Sequence, residues 1–224
     1  MSEQPVPRDA RNVMASRKEP ADSLDMFPTP PWATRALCEG LIERGFSLDK
    51  QTCWEPACGM GHMARPLAEY FEAVFSSDIH DYGHGNVQDF IAPYDGPTAD
   101  WIITNPPFRL AEQFALTAIK RARSGVALIV RTAFLESVGR YERLFEPHLP
   151  AFILQFCERV PMHRGRLEQH GSTATAYCWI VWASNEIELS ASGLPFFRWI
   201  PQCRRSLERP EDYTDSAPVQ EAMI

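Results

Sequence analysis

The chain has 224 residues, 45% of them hydrophobic, and a formal net charge of −7. That length suits one full α/β domain and is short for two. No apolar run reaches the roughly 18 residues of a membrane-crossing helix, and the N-terminus lacks the apolar segment of a signal peptide, so the cytoplasm is the expected compartment.

Cysteines at 38, 53, 58, 157, 178 and 203 form no C-x-x-C pair and no grouping with histidine. They read as reduced, small buried hydrophobes, and no structural zinc site is expected. The acidic balance argues weakly against a nucleic-acid partner, but the charge is unevenly spread. From Arg109 to Arg143 seven Lys/Arg face three Glu, a local +4, and Arg159, His163, Arg164 and Arg166 form a second basic island around Glu158. Such a sector suits phosphate contacts or plain solvated helix faces.

Residues 1–22 are polar, mixed in charge and aperiodic, which reads as a mobile leader; 23–209 read as one domain, and 210–224 as a loose tail. The rigid segment Phe27-Pro28-Thr29-Pro30-Pro31-Trp32 leads into a helix from Trp32 to Gly45, whose Ala33, Leu37 and Leu41 share a stripe. Thr52–Glu55 is a short strand. A helix is expected from Gly61 or His62 to Phe71, a strand over Val74–Asp78 and a weaker one near Gly85–Phe90. Trp101–Thr104 follows as the next strand, and Leu110–Arg121 as an amphipathic helix.

Gly125–Val130 is a continuous apolar run, as in a central parallel strand covered on both sides. A helix near Val138–Phe145 and strands over Ala151–Val160 and Ala174–Ala183 complete the pattern, with Trp179 and Trp182 as core and strand-edge residues. Alternation of this kind implies a mostly parallel sheet wrapped by helices. The connection 161–173 is too short for a long crossover helix, so the last two strands are expected to be antiparallel.

In such sheets ligands bind beyond the carboxyl ends of the strands, where four segments gather. Glu55-Pro56-Ala57-Cys58-Gly59-Met60-Gly61-His62 follows the first strand. Its glycines suit a tight turn and close backbone approach, with an anion at the helix that follows, or merely a turn. Asp78 ends the next strand and suits the two hydroxyls of a ribose, or a helix cap. Asp89 would take an exocyclic amine, and Phe90 would stack on a purine.

Asn105-Pro106-Pro107-Phe108 is the sharpest signal. Two prolines remove two backbone donors and fix two φ angles, so the loop is stiff. An amine conjugated to a flat ring, such as adenine N6, is a poor nucleophile because its lone pair is delocalised. Asn105 Oδ1 and the Pro106 carbonyl would accept its two hydrogens and favour a pyramidal nitrogen facing a methyl donor. Phe108 would stack on the base, worth about 1–3 kcal/mol. This chemistry needs no metal and no covalent intermediate. The arm at 27–32 would then cover the donor's methionine end or simply pack, and Met162–Arg166 would touch a nucleic-acid backbone or form a plain hairpin tip.

Taken together, these segments resemble the S-adenosylmethionine-dependent amino-methyltransferases of class I fold, and more closely the small DNA N6-adenine methyltransferases of phages and prophages. The likeness runs from Phe27 to about Trp182, with arm, glycine motif and N-P-P-aromatic motif in the family's order.

The resemblance implies a Rossmann-like α/β domain: a seven-stranded, mostly parallel sheet, its last strand antiparallel, with helices on both faces. It implies S-adenosyl-L-methionine as cofactor, with Thr29 and Pro30 at its methionine end, and Glu55, Ala57, Gly59 and Gly61 in the glycine motif. Asp78 would hold the ribose, and Asp89 and Phe90 the adenine. Asn105, Pro106, Pro107 and Phe108 would hold the target base, with DNA as the partner and Arg109, His163, Arg164 and Arg166 as substrate contacts. Larger relatives carry a separate target-recognition domain, and nothing after Trp182 is long or periodic enough to be one. Specificity would then come from loops such as 132–137 and 161–173. The alternatives are the same transfer to an RNA base or a protein glutamine, or a donor-binding or nucleic-acid-binding module without catalysis.

Overall fold

The computed structural model describes residues 26–96, 98–171, 173–183 and 195–214. The expected leader at 1–22 lies outside them, as does 215–224 of the expected tail. Among the described residues no helix is long and apolar enough to cross a membrane.

The strands are β1 (Thr52–Glu55), β2 (Ala73–Asp78), β3 (Asn86–Val87), β4 (Trp101–Thr104), β5 (Gly125–Arg131), β6 (Phe152–Phe156), β7 (Tyr177–Ala183) and β8 (Phe196–Ile200). They form one sheet in the order β3-β2-β1-β4-β5-β7-β6-β8. Only β7 runs against its neighbours β5 and β6; every other pairing is parallel. The helices are α1 (Pro31–Ile42), α2 (Ala64–Leu67), α3 (Ala111–Arg121), α4 (Val138–Arg140) and α5 (Arg204–Leu207).

Period-two alternation sorts the strand residues into two cores. Trp101, Ile103, Ile129 and Trp179 pack with Trp32, Leu37 and Leu41 of α1. Ile102, Leu128 and Ile180 pack with Phe114, Ala115 and Ala118 of α3 and with Leu144. The buried Trp179 indole satisfies its N–H on the Ala33 carbonyl at 3.1 Å, tying α1 to the sheet.

Several expectations need correction. The sheet has eight strands, because β8 adds an edge beyond β6. Its Phe-Phe-Arg-Trp-Ile run puts aromatic rings on both faces and so lacks the alternation that marks a strand. Helical cover is incomplete at the sheet's margins, where Phe75, Phe197 and Trp199 are exposed. The strand expected near Gly85–Phe90 shrinks to two residues, and the helix expected from Gly61 to Phe71 shrinks to the four of α2, flanked by turns. Beyond α4 the chain continues as a π-helical turn over Tyr141–Phe145.

The chain at 210–214 is no loose tail. Pro210–Tyr213 makes a 3-10 turn whose Asp212 accepts two hydrogen bonds from the buried Arg35 of α1, both 2.8 Å. Glu69 takes the other edge of the same guanidinium at 2.9 and 2.8 Å.

Candidate active site

β1 and β4 are adjacent and parallel, so the loops that leave their carboxyl ends, one after Glu55 and one after Thr104, emerge side by side. After β1 the chain turns on Gly59 (φ +49°) and Gly61 (φ +81°), left-handed values that favour glycine. At Gly61 a Cβ would also come within 2.6 Å of the His84 imidazole, a packing partner that sequence reasoning missed.

The turn is tied to the end of β2. The Gly59 N–H donates to Asp78 Oδ2 and the His80 N–H to Asp78 Oδ1, both at 3.0 Å, while the Cys58 N–H donates to the Ser77 carbonyl at 3.0 Å. Ala57 is half-buried in the same turn. The helix expected to receive an anion here is the four-residue α2, too short to present much of a dipole.

Glu55 is 2% exposed, and its Oε2 has no hydrogen-bond partner among the described residues. Burial, and then the negative charge of Asp78, push its carboxyl well above the ordinary carboxylate range, against an opposing pull from the Ala64 amide. Thr29 Oγ1 on the arm and Thr104 Oγ1 at the end of β4 are buried without partners as well. Buried polar atoms are almost always paired, so these three are candidates for contact with a ligand.

After β4, Asn105 donates from Nδ2 to the Phe27 carbonyl at 2.7 Å, and its Oδ1 accepts nothing among the described residues. Pro106 is buried, Pro107 and Phe108 half-buried, and the Leu110 N–H returns to the Pro107 carbonyl at 2.9 Å, which stiffens the loop as it enters α3. The Phe27 ring lies tilted against Phe108, centroids 5.1 Å apart, and the Arg131 guanidinium covers a face of Phe108 at 3.8 Å. Neither Phe27 nor Arg131 was foreseen as a neighbour of this ring.

The arm joins these parts. Pro28, Thr29 and Pro30 are buried, and Pro31 opens α1 at the position where a missing N–H does no harm. Met26 packs over Gly59, 3.7 Å from where a Cβ would sit, and its carbonyl accepts the Gly165 N–H at 2.9 Å. Met162 Sδ lies 3.8 Å from Asn105 Nδ2. Residues 26 and 27 therefore touch the glycine turn, the Asn105 loop and the 161–166 connection together.

Other expected site residues lie apart. Asp89 is exposed, its Oδ1 accepting the Ile91 N–H at 2.9 Å. Phe90 is 2% exposed and sits in the second core against Trp54, Phe114 and the Arg121 guanidinium, which leaves no open face for a purine. His163 and Arg166 bracket a tip at Gly165 (φ +71°), each 3.4 Å from the Glu168 carboxylate, while Arg109 and Arg164 are exposed. Much of the expected basic sector is engaged within the protein. Arg123 holds Asp100 at 2.9 Å, Arg143 holds Glu112 at 2.6 Å, and Arg121 donates to the carbonyls of Phe90 and Ala92. A small cleft of about 90 Å³ between Trp54, Ser77, Gln88 and Tyr94 includes none of the expected site residues.

No protein-family model matches the sequence, and no curated protein matches it. Solved structures do match in shape. A protein of Pyrococcus horikoshii designated an RNA methyltransferase superposes with a TM-score of 0.57 at 16% identity, over 74% of this chain and 88% of that one. A Listeria monocytogenes protein designated a class I S-adenosylmethionine-dependent methyltransferase gives 0.56 at 11% identity, over 79% and 67%. The methyltransferase subunit of a type I restriction-modification system from Streptococcus thermophilus gives 0.53 at 14% identity, over 71% and 45%. The chain spans less than half the length of the two type I restriction subunits it matches. With the strand order and the reversed β7, these likenesses establish the fold as the Rossmann-like fold of class I methyltransferases.

Proposed function

We propose that the chain transfers a methyl group from S-adenosyl-L-methionine to the exocyclic N6 of adenine in DNA. The observation that carries this reading is Asn105 Oδ1, an acceptor unengaged among the described residues, on a proline-stiffened loop next to a glycine turn that shares its arm.

The residues present fit the donor. Its ammonium group would find the unpartnered carboxylate oxygen of Glu55, and Thr29 Oγ1 offers a second unpaired polar atom on the arm beside Pro30. Gly59 and Gly61 shape the turn by their left-handed φ, and His84 and Met26 are packed against the space a side chain there would take, so the donor would meet the turn along its remaining backbone. Asp78, already accepting two N–H groups, retains lone pairs for a ribose, while Asp89 is exposed with one oxygen engaged by the Ile91 N–H. Phe90 has no part in this reading, being closed into the core.

When bound, S-adenosylmethionine supplies an electrophilic methyl carbon. Asn105 Oδ1 and the Pro106 carbonyl accept the two amine hydrogens and turn the nitrogen lone pair out of conjugation. Phe108 would stack on the base by the face Arg131 does not cover, with Phe27, now tilted against the ring at 5.1 Å, giving way where it overlaps that face. Orientation of this kind is worth about 7–11 kcal/mol, and acceptors fixed in advance add a few more. An adenine inside a duplex must first leave the stack, at a few kcal/mol. Arg109 and Arg164 are exposed, and His163 and Arg166 flank Gly165, whose N–H donates to the Met26 carbonyl; these side chains would suit backbone phosphates. Neighbours in shape that include restriction-modification methylation subunits support DNA as the substrate.

The test uses labelled donor with adenine-containing DNA, RNA and a cell protein extract. Label is expected in DNA as N6-methyladenine, and Asn105→Ala is expected to lower transfer at least about a thousandfold with donor affinity unchanged. Label confined to RNA or protein would overturn the choice of substrate. An unaltered rate in Asn105→Ala would overturn the site itself.

A further inference from the structure

β5 outruns β4. Thr104, the last residue of β4, pairs with Leu128, so β5 continues three residues further to Arg131, roughly 10 Å beyond the level at which the Asn105 loop begins. That overhang is held firmly: Arg131 pairs with Tyr177 of β7, and the next N–H, of Thr132, donates to the Ala176 carbonyl at 2.9 Å. The side chain is exposed, yet its guanidinium carbon lies 3.8 Å from the centre of the Phe108 ring.

Its neighbours in sequence behave differently. Arg123, Arg140 and Arg143 each face a carboxylate, on Asp100 or Glu112. The Arg131 side chain has no carboxylate or hydrogen-bond partner among the described residues, and its guanidinium lies over the ring. A guanidinium is planar, so it can lie flat on an aromatic face while its N–H edges stay free to bind an oxyanion in two-pronged fashion. A base stacked on Phe108 brings its own phosphodiester within an arginine's length of that ring.

We infer that Arg131 is a phosphate-binding positioning residue. It steadies the plane of Phe108 and offers its N–H fork to a phosphate flanking the target adenine. The inference rests on the base-methylation reading and extends it to a residue at the end of the central strand.

The experiment measures methyl transfer to an adenine-containing duplex by wild type, Arg131→Ala and Arg131→Lys over a series of salt concentrations, with donor affinity and melting curves alongside. Arg131→Ala is expected to raise KM for DNA roughly ten- to a hundredfold and to make the slope of log(kcat/KM) against log salt shallower by about one. Donor affinity and melting should stay at the wild-type level. Arg131→Lys should restore the salt slope but recover KM only in part, because an ammonium binds phosphate without lying flat on the ring. A wild-type slope and KM in Arg131→Ala would overturn the inference, and so would a Lys variant with the shallow slope of the Ala variant. A wild type that transfers nothing to DNA would instead overturn the base-methylation reading.

Discussion

Glu55 shows most directly how a single buried residue makes stability depend on pH. Its carboxyl is raised, first by burial and then by the charge of Asp78, so the folded chain keeps a proton that the unfolded chain releases above its ordinary value of 4.5. By linkage, folding stability then falls as pH rises from there toward the folded value, because the native state binds more protons than the unfolded state. Glu55→Gln cannot ionise and escapes that loss. The Gln variant is therefore expected to melt higher than the ligand-free wild type at pH 7, with the gap closing by about pH 4, and to bind S-adenosylmethionine at least about tenfold more weakly. Melting curves between pH 4 and 8 and donor titrations check both arms. A melting gap that ignores pH would mean that packing, not ionisation, governs the site.

At the level of elements, one acid-sensitive contact lies at a strand start. Asp100, just before β4, takes hydrogen bonds from the Thr52 N–H at 2.8 Å, the Thr52 hydroxyl at 2.9 Å and Arg123 at 2.9 Å. Arg123 first, and then the Thr52 donors, pull its carboxyl down to about 2 against the effect of burial. A depressed carboxylate stabilises above its unfolded value, and that contribution is lost as pH falls from about 4 through about 2. Asp100→Asn is expected to be less stable by about 1 kcal/mol at pH 7, a figure reduced for the exposure of Arg123, and level with wild type at pH 2. Urea titrations at the two pH values measure the difference.

Elements also differ in how plainly the sequence announces them. β4 and β5 were legible because a strand covered on both faces is a run of apolar residues, and Trp101–Thr104 and Gly125–Val130 are such runs. β8 was not, since its three central residues are all exposed and its pairing depends on β6, more than forty residues earlier. The Asn105 loop and the glycine turn were legible for the same local reason: proline and glycine act on their own backbone. The meeting of Phe27, Phe108 and Arg131 was not, because it joins three distant segments through sheet register. Phe90 misled because an aromatic beside an acid near a strand end reads as an open loop, whereas Arg121 closes over it from α3.

For the whole molecule, the chain that follows the sheet is a clasp on its first helix. Asp212 and Glu69 share the two edges of Arg35, which is 3% exposed, and Asp212 itself is only 4% exposed. Removing one partner of a buried ion pair leaves a charge poorly compensated. Asp212→Ala is expected to cost about 2–4 kcal/mol, with Glu69 remaining to share the load. Chemical denaturation would show it as a lower midpoint with an unchanged slope; a loss below about 0.5 kcal/mol would mean the clasp contributes little.

The crossing of the arm over the cleft carries a further liability. Two thioethers frame that junction, Met26 over Gly59 and Met162 at 3.8 Å from the Asn105 amide. A thioether accepts hydrogen bonds feebly, and so the Asn105 N–H stays committed to the Phe27 carbonyl. Peroxide oxygenates methionine sulfur to a sulfoxide, whose S=O is a strong acceptor on a newly polar side chain. Met162 is only 5% exposed, so oxidation there requires a local opening of the arm; once formed, that oxygen would compete with Phe27 for the amide and swing Asn105 out of register, and a sulfoxide reductase would reverse it.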